Sequence, residues 1–102
     1  LRDKNREVFL VIYLNGRNQI LKMEELFEGT LSTSAVYPRE VIKRALVNDA
    51  AALVFVHNHP SGNPNPSQDD VTITKKLKKA AQAIDVSVHD HLIIAGNDVY
   101  SF

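Results

Sequence analysis

The sequence predicts a single α/β domain, in which helices pack on a β-sheet. Two observations indicate this class. Short apolar runs of strand length alternate along the chain with segments whose apolar residues recur at helical spacing. The chain has 102 residues, enough for one modest hydrophobic core, and no repeat or low-complexity tract divides it. We therefore expect one domain over residues 1–102.

The first elements are predicted to form a hairpin. Residues 7–14 (EVFLVIYL) are too uniformly apolar for a strand with one wet face and indicate a buried strand. Asn15 and Gly16 follow, the preferred pair for a tight type I′ turn. Residues 19–27 would be the returning strand, although their MEELF segment would also suit a short helical turn. The Ser/Thr-rich residues 30–37 are predicted to be a connection.

The middle of the chain is predicted to be a helix followed by a central strand. Pro38 occupies the first helical position, which proline favours. The apolar residues after it keep helical spacing through about residue 48: Val41, Ile42, Ala45 and Leu46. Residues 51–56 (AALVFV) form a short continuous apolar run, which is typical of a strand inside a sheet.

The last third is predicted to be a loop, a long helix and a second hairpin. Residues 60–66 (PSGNPNP) contain three prolines and a glycine, so they suit neither a helix nor a paired strand. A helix begins at Ser67, with apolar residues along one face: Ile73, Leu77, Ala80, Ala81 and Ile84. Residues 85–95 and 98–102 are predicted strands around a turn at Gly96 and Asn97.

Composition excludes several kinds of site and partner. Acidic and basic residues balance at 12 each, so the chain lacks the overall positive charge of a typical nucleic-acid binder. Cysteine is absent, which excludes disulfides, thiolate metal sites and cysteine nucleophiles. No apolar run approaches the ~18–20 residues needed to span a bilayer, so no membrane partner is expected. A cytoplasmic location is expected, although the chain begins at Leu1 rather than Met, so the absence of a visible targeting signal carries little weight.

A cluster of chemically active residues surrounds the proline-rich loop. His57 and His59 are two residues apart at the end of the central strand, so their side chains should share one face while Asn58 faces away. The carboxyl ends of strands are where open α/β sheets place ligands. The loop should return the chain to this edge at the start of the next helix, which carries Ser67 and Asp70.

Two histidines and an aspartate match the ligands of catalytic zinc, which leaves a fourth position open. Zinc lowers the pKa of its water to about 7. Hydrolysis then needs a carboxylate that moves a proton and a donor that stabilises the oxyanion, and Ser67 could be that donor.

Each motif taken alone has a structural alternative. Ser67 and Asp70 resemble a capping box with aspartate in place of glutamate, and capping is the stronger interpretation of that pair by itself. One His-x-His pair at a strand end is weak support for a metal. The presence of the two pairs together, one on each side of the same stiff loop, favours the metal site.

The same residues resemble the signature of the JAMM (MPN+) metalloproteases. In that signature a His-x-His pair precedes Ser-x-x-Asp, as His57 and His59 precede Ser67 and Asp70 here. The longer stretch HNHPSGNPNPSQDD, preceded by YPREVIKRAL and followed by HDHLII, resembles the bacterial RadC family. This resemblance covers essentially the whole chain.

The resemblance implies a JAB1/MPN-like (cytidine-deaminase-like) mixed sheet flanked by helices. It implies Zn²⁺ bound by His57, His59 and Asp70, with Ser67 assisting at the oxyanion. It also implies that Glu7, ahead of the first strand, is the general base and acid, a role that spacing alone could not assign among the chain's glutamates. Full-length relatives usually place a helix-hairpin-helix region first, and this chain is expected to lack it.

A second His-x-His pair, His89 and His91, allows two interpretations. The pair could bind a second metal or complete a four-histidine site with His57 and His59. We favour a supporting role, since four histidines would leave no open position on zinc. Asp90 and His91 recur in the RadC pattern and are expected to orient a ligand.

The leading functional hypothesis is a zinc-dependent hydrolase of JAMM type, acting on a peptide or isopeptide bond in a peptide or protein substrate. One alternative is a DNA-associated module, since RadC proteins carry a DNA-repair name and a lysine-rich helix face could contact phosphates: Lys75, Lys76, Lys78 and Lys79. Another is a non-catalytic interaction scaffold. The oligomeric state is not predicted. A cytidine deaminase is excluded, because the His-x-Glu motif and the cysteine ligands of that class are missing.

Overall fold

The computed structural model describes residues 7–28 and 38–102. Within these ranges the chain forms five strands and two helices, in the order β1 (Val8–Leu14), β2 (Ile20–Glu28), α1 (Pro38–Val47), β3 (Ala52–Asn58), α2 (Gln68–Ala83), β4 (Ser87–Ala95) and β5 (Asp98–Ser101). The predicted element order is confirmed, with boundaries shifted by one or two residues. The MEELF segment belongs to β2 rather than to a helical turn. The predicted connection at residues 30–37 lies outside the described residues.

The strands form one mixed sheet in the order β2-β1-β3-β4-β5. β1 pairs antiparallel with both β2 and β3, whereas β3 and β4 are parallel and joined through α2. β5 closes the other edge against β4. The predicted α/β fold class is confirmed, and the arrangement is JAB/MPN-like.

Both described helices pack on the same face of the sheet. The core cluster contains alternate residues of β1 and β3, which therefore point to one side, together with the inner residues of both helices: Phe9, Val11, Tyr13, Leu53, Phe55, Val41, Ala45, Ile73, Leu77 and Ala81. His57 continues this alternation beyond Phe55, so its side chain also faces α2.

Within residues 7–28 and 38–102, no helix is long and apolar enough to cross a membrane.

The predicted type I′ turn at Asn15 and Gly16 is wrong. The loop is five residues long, because the Asn15 side chain accepts hydrogen bonds from the backbone N–H groups of Arg17 (2.9 Å) and Gln19 (3.0 Å). The left-handed residue is Asn18, with φ 61°, and not Gly16. An asparagine side chain that mimics a backbone turn has outcompeted the Asn-Gly preference.

The turn between β4 and β5 follows its prediction. Only Gly96 and Asn97 separate the two strands. Gly96 has φ 60°, a conformation that glycine adopts without a steric penalty. The hairpin therefore closes in two residues, as expected for a glycine at the first turn position.

Candidate metal centre

The candidate centre lies where the end of β3 meets the start of β1. Antiparallel pairing places Phe9 opposite His57. Extending this register by two residues brings Glu7 alongside His59, and Glu7 has the same strand parity as Phe9. A glutamate 50 positions before His57 in the chain thus reaches the same edge of the sheet.

His59 lies one residue beyond β3 but stays aligned with the sheet. Its backbone N–H donates to the carbonyl of Ile94 in β4 (2.8 Å). The chain then reverses in a turn closed by the Gly62 N–H and the His59 carbonyl (3.1 Å). Gly62 has φ 84°, in the region that favours glycine. The loop can therefore turn sharply enough to return the start of α2 to the histidines.

The first turn of α2 is held by a complete capping box. Ser67 Oγ accepts from the Asp70 N–H (3.0 Å), and Asp70 Oδ2 accepts from the Ser67 N–H (2.8 Å). Capping, the structural alternative for this pair, is therefore real. It does not compete with ligand binding, because the same carboxylate also faces both histidines.

Three ligand-type side chains converge at this point. His57 Nε2 lies 3.2 Å from Asp70 Oδ1, and His59 Nε2 lies 2.9 Å from Asp70 Oδ2. The two histidine Nε2 atoms are 3.1 Å apart. All three groups are buried or nearly so, and the three could hold a metal ion.

The protonation states of two members follow from their surroundings. Burial alone would raise the pKa of Asp70, but its contacts with the His57 ring, with the Ser67 backbone N–H and with His59 hold that pKa well below its usual range. Asp70 is therefore a carboxylate. His59 Nδ1 lies 2.8 Å from the carbonyl of Asn63, which can only accept, so Nδ1 carries the hydrogen. In neutral His59 the Nε2 atom then presents a lone pair to the centre.

An open pocket of about 250 Å³ lies beside this group. Its walls carry the expected catalytic residues Glu7 and Ser67 together with His59 and Asp70. Three further polar side chains of the loop complete the lining: Ser61, Asn63 and Asn65. The structure thus brings together every residue that the resemblance implied for the reaction. Their chemical roles stay predictions.

The second His-x-His pair is split by a bulge in β4. Leu53 pairs with Val88 and Val54 with Asp90, so His89 is an extra residue in the strand. His89 is exposed, and its Nε2 bonds to Asn18 Oδ1 (2.8 Å) in the β1–β2 loop. His89 is therefore not part of the group formed by His57, His59 and Asp70, which argues against a four-histidine site.

His91 and Asp90 occupy different places around the centre. The His91 ring is fully buried, and its Nε2 lies 2.8 Å from His57 Nδ1, on the side of His57 that faces away from Asp70 and His59. Asp90 Oδ1 accepts from the His91 backbone N–H (2.8 Å) and from Ser101 Oγ (2.7 Å). Asp90 therefore anchors the backbone of β4 to β5 and does not bond to the imidazole of His91 through these contacts.

Sequence reasoning missed the role of Asn58. It was expected only to face away from the ligands, yet it is 2% exposed and its Oδ1 accepts from the Val8 N–H at 2.7 Å. Val8 directly follows Glu7, so this bond fixes the start of β1 against the strand that carries His57. Only the pairing of β1 with β3, which is remote in sequence, could have indicated it.

Replacing Asn58 by alanine should lower the free energy of unfolding by about 1–3 kcal/mol, because the buried Val8 N–H loses its acceptor. Urea unfolding of the metal-free protein measures this. Asn97→Ala, at an exposed turn position, is the matched control and should stay within about 0.5 kcal/mol of the parent. Equal losses in the two variants would contradict a structural role for the Asn58–Val8 bond.

A mixed sheet with a His, His, Asp group at the end of its central strand is the arrangement of a JAB/MPN-like domain. A family model described as "RadC-like JAB domain" matches residues 1–102. The chain therefore belongs to the RadC-like JAB domain family.

Curated relatives agree with this assignment. A UPF0758 protein of Thiobacillus denitrificans is 51% identical over all 102 residues, which cover 46% of that relative. The UPF0758 protein YfjY of Escherichia coli K12 is 53% identical over 97 residues, 95% of this chain and 61% of the relative. The chain thus spans about half the length of the curated relatives it matches. Their names state no activity, ligand or partner.

Proposed function

We propose that this domain is a zinc-dependent hydrolase that cleaves an amide bond in a peptide or isopeptide substrate. The observation that carries the proposal is the convergence of two imidazole nitrogens, 3.1 Å apart, on one carboxylate, whose two oxygens lie 3.2 and 2.9 Å from them. Three groups that can each offer an electron pair, brought this close in a buried place, form a favourable position for a cation.

The chemistry of this donor set fits zinc. A shared proton can join only two of the three groups, whereas a metal ion can accept electron pairs from all three. Imidazole and carboxylate are zinc ligands, and Zn–ligand bonds of about 2.0–2.1 Å in tetrahedral geometry imply ligand atoms about 3.3 Å apart. The two nitrogens are 3.1 Å apart, and each lies 2.9 or 3.2 Å from a different oxygen of Asp70, so these separations are close to that value. Three protein ligands leave the open position of a catalytic site.

Zinc in such a site supplies a water of lowered pKa and polarises a carbonyl group. The chain's own residues supply the rest. Glu7 lines the pocket beside His59 and is placed to take a proton from water and return it to the leaving amine. Ser67 uses a lone pair to cap α2, so its hydrogen can still be donated to the developing oxyanion.

The pocket favours an extended backbone over a bulky side chain. It is open to solvent and small, and its loop wall offers the hydroxyl and amide groups of Ser61, Asn63 and Asn65. Such groups bond readily to peptide N–H and C=O groups. A peptide or isopeptide segment lying across the mouth would present its scissile carbonyl to Ser67 and Glu7.

The test is hydrolysis of internally quenched peptides and of an isopeptide-linked lysine substrate by the zinc-loaded protein. Cleavage should disappear after zinc is removed with a chelator and return when zinc is restored. A zinc-loaded protein that cleaves none of these amides would contradict the peptidase proposal. Cleavage that persists without metal would show that the activity does not belong to this site.

Replacing Ser67 by alanine should lower kcat by about 10²–10³-fold, the usual effect of removing one oxyanion donor. Loss of the cap should also lower the free energy of unfolding by about 1 kcal/mol. Ser67→Thr keeps a hydroxyl for both tasks and is the matched control. Steady-state kinetics at full zinc occupancy checks this, and an equal kcat in the two variants would remove Ser67 from the reaction.

A further inference from the structure

A second layer of buried polar groups lies behind His57. The His91 ring is stacked on Phe102 at 4.6 Å and meets the edges or faces of Phe9 (5.7 Å) and Phe55 (5.8 Å). This apolar enclosure removes the ring from water, and a charged imidazole would be costly there. His91 is therefore a neutral imidazole with one hydrogen, and the position of that hydrogen follows from its two partners.

The first partner is Thr74, a buried residue of α2 with a single hydroxyl hydrogen. Thr74 Oγ1 lies 2.7 Å from the carbonyl oxygen of Asp70 and 2.6 Å from His91 Nδ1. Both separations require a hydrogen between the two atoms. The carbonyl has none, so the hydroxyl donates to Asp70, and His91 Nδ1–H must donate to the hydroxyl.

The second partner is His57. With its hydrogen on Nδ1, neutral His91 presents a lone pair at Nε2, which lies 2.8 Å from His57 Nδ1. His57 must then carry its own hydrogen on Nδ1 and present a lone pair at Nε2. That lone pair faces Asp70 and His59, at the proposed metal position.

We infer that Thr74 and His91 form a hydrogen-bond relay that holds His57 in the Nδ1–H tautomer, which is the metal-binding form in this geometry. Both are positioning residues, since they act only through His57. The metal-binding consequence of the relay rests on the proposed function, whereas the tautomer itself does not.

The relay matters because its reverse would block the centre. In the reverse direction His91 Nε2–H donates to His57 Nδ1, and His57 Nε2–H donates to the Asp70 carboxylate. A metal would then have to displace that hydrogen. The reverse direction also leaves the Thr74 hydroxyl and the Asp70 carbonyl 2.7 Å apart with no hydrogen between them. The contact between Thr74 and the helix backbone thus selects the open direction.

The bulge at His89 is what places His91 in the relay. Val88 packs against the core cluster on the helix side of the sheet, and three residues later the His91 side chain also reaches α2. Residues three apart in a regular strand face opposite sides. The extra residue in β4 restores His91 to the helix face, and bulges often re-aim a side chain next to a functional site.

The relay is tested by long-range ¹H–¹⁵N spectra of histidine-labelled, metal-free protein, recorded about two units above the ordinary histidine pKa of ~6.5. His57 and His91 should each show hydrogen on Nδ1. Thr74→Val removes the hydroxyl and leaves His91 Nδ1–H without an acceptor. We then expect the hydrogen of His91 to move to Nε2, where it is donated to His57 Nδ1, and the hydrogen of His57 to move to its own Nε2. Thr74→Ser should keep the original pattern. Thr74→Ala is a second hydroxyl-free variant.

Zinc dissociation constants from competition with a chromophoric chelator give the second measurement. Thr74→Val should weaken binding by about 10–100-fold, the usual effect of losing a group that orients a metal ligand. Thr72→Val is the control, because Thr72 makes the same hydroxyl-to-carbonyl bond along α2 (to Gln68, 3.0 Å) without touching the relay. Thr72→Val and Thr74→Ser should bind like the parent.

The outcomes separate this inference from the proposed function. Hydrogen on His57 Nε2 in the parent protein, or a Thr74→Val spectrum identical to it, would overturn the relay even if zinc binds tightly. A parent that binds no zinc but shows the Nδ1–H pattern, lost in Thr74→Val, would support the relay and refute the zinc proposal.

Discussion

Replacing Glu7 by glutamine should lower amide hydrolysis by the zinc-loaded protein by about 10²–10⁴-fold, the contribution typical of a general acid–base group. Glutamine keeps the size of the side chain but cannot take up a proton from water. Glu7 lines the pocket on the side of β1 but is not a member of the metal-ligand group. Zinc content should therefore stay at the parent level, which separates a catalytic defect from a lost site.

The matched control is Glu25→Gln, the same substitution on an exposed residue of β2. Kinetics and metal analysis on the same preparations give the comparison. A Glu7→Gln protein with parental turnover would assign the proton transfer to another group. An equal loss in both variants would show that the effect is not specific to the site.

Acid should destabilise the metal-free fold through His91. Its folded pKa is about 3, below the ordinary histidine value of 6.5. Between these values the unfolded chain binds a proton that the native state excludes, so stability falls as pH drops. The loss is about 1.4 kcal/mol per pH unit and about 5 kcal/mol over the whole window. This is a large part of the 5–15 kcal/mol that stabilises a typical domain.

Urea unfolding at several pH values, with a chelator present, measures this slope. Asp70 also has a lowered pKa, but its contribution disappears only as pH falls below the ordinary aspartate value near 4. The range from about pH 6.5 to 4.5 therefore isolates the histidine. In His91→Gln, the dependence of the free energy of unfolding on pH should be smaller by the contribution of one proton. In His89→Gln, at an exposed position, this dependence should stay as in the parent. The same slope in both variants would contradict a buried, neutral His91.

The convergence of the candidate site residues could be predicted from sequence because they are close in the chain and have distinctive chemistry. His57, His59, Ser67 and Asp70 lie on either side of one stiff loop, so local reasoning about strand parity and helix starts was enough to bring them together. The element order was predictable for the same reason, since each hydrophobic pattern is local.

What sequence could not reveal depends on pairing between distant segments. Glu7 reaches the candidate site because β1 runs antiparallel to β3, and Asn58 matters because its side chain bonds to Val8 across that pairing. His91 reaches His57 only because β4 carries a bulge, and bulges have no reliable sequence signal. The hairpin prediction failed on a single side-chain contact, in which Asn15 replaced the expected backbone turn.

The most direct test of the account is the zinc content of the purified protein by elemental analysis, after incubation with zinc and removal of the excess. Asp70→Asn keeps a side-chain oxygen to cap α2 but loses the ligand charge, and Asp69→Asn makes the same change at the exposed neighbouring position. We predict about one zinc per chain in the parent and in Asp69→Asn, and close to none in Asp70→Asn. A parent without zinc, or an Asp70→Asn protein that keeps it, would contradict the metal centre.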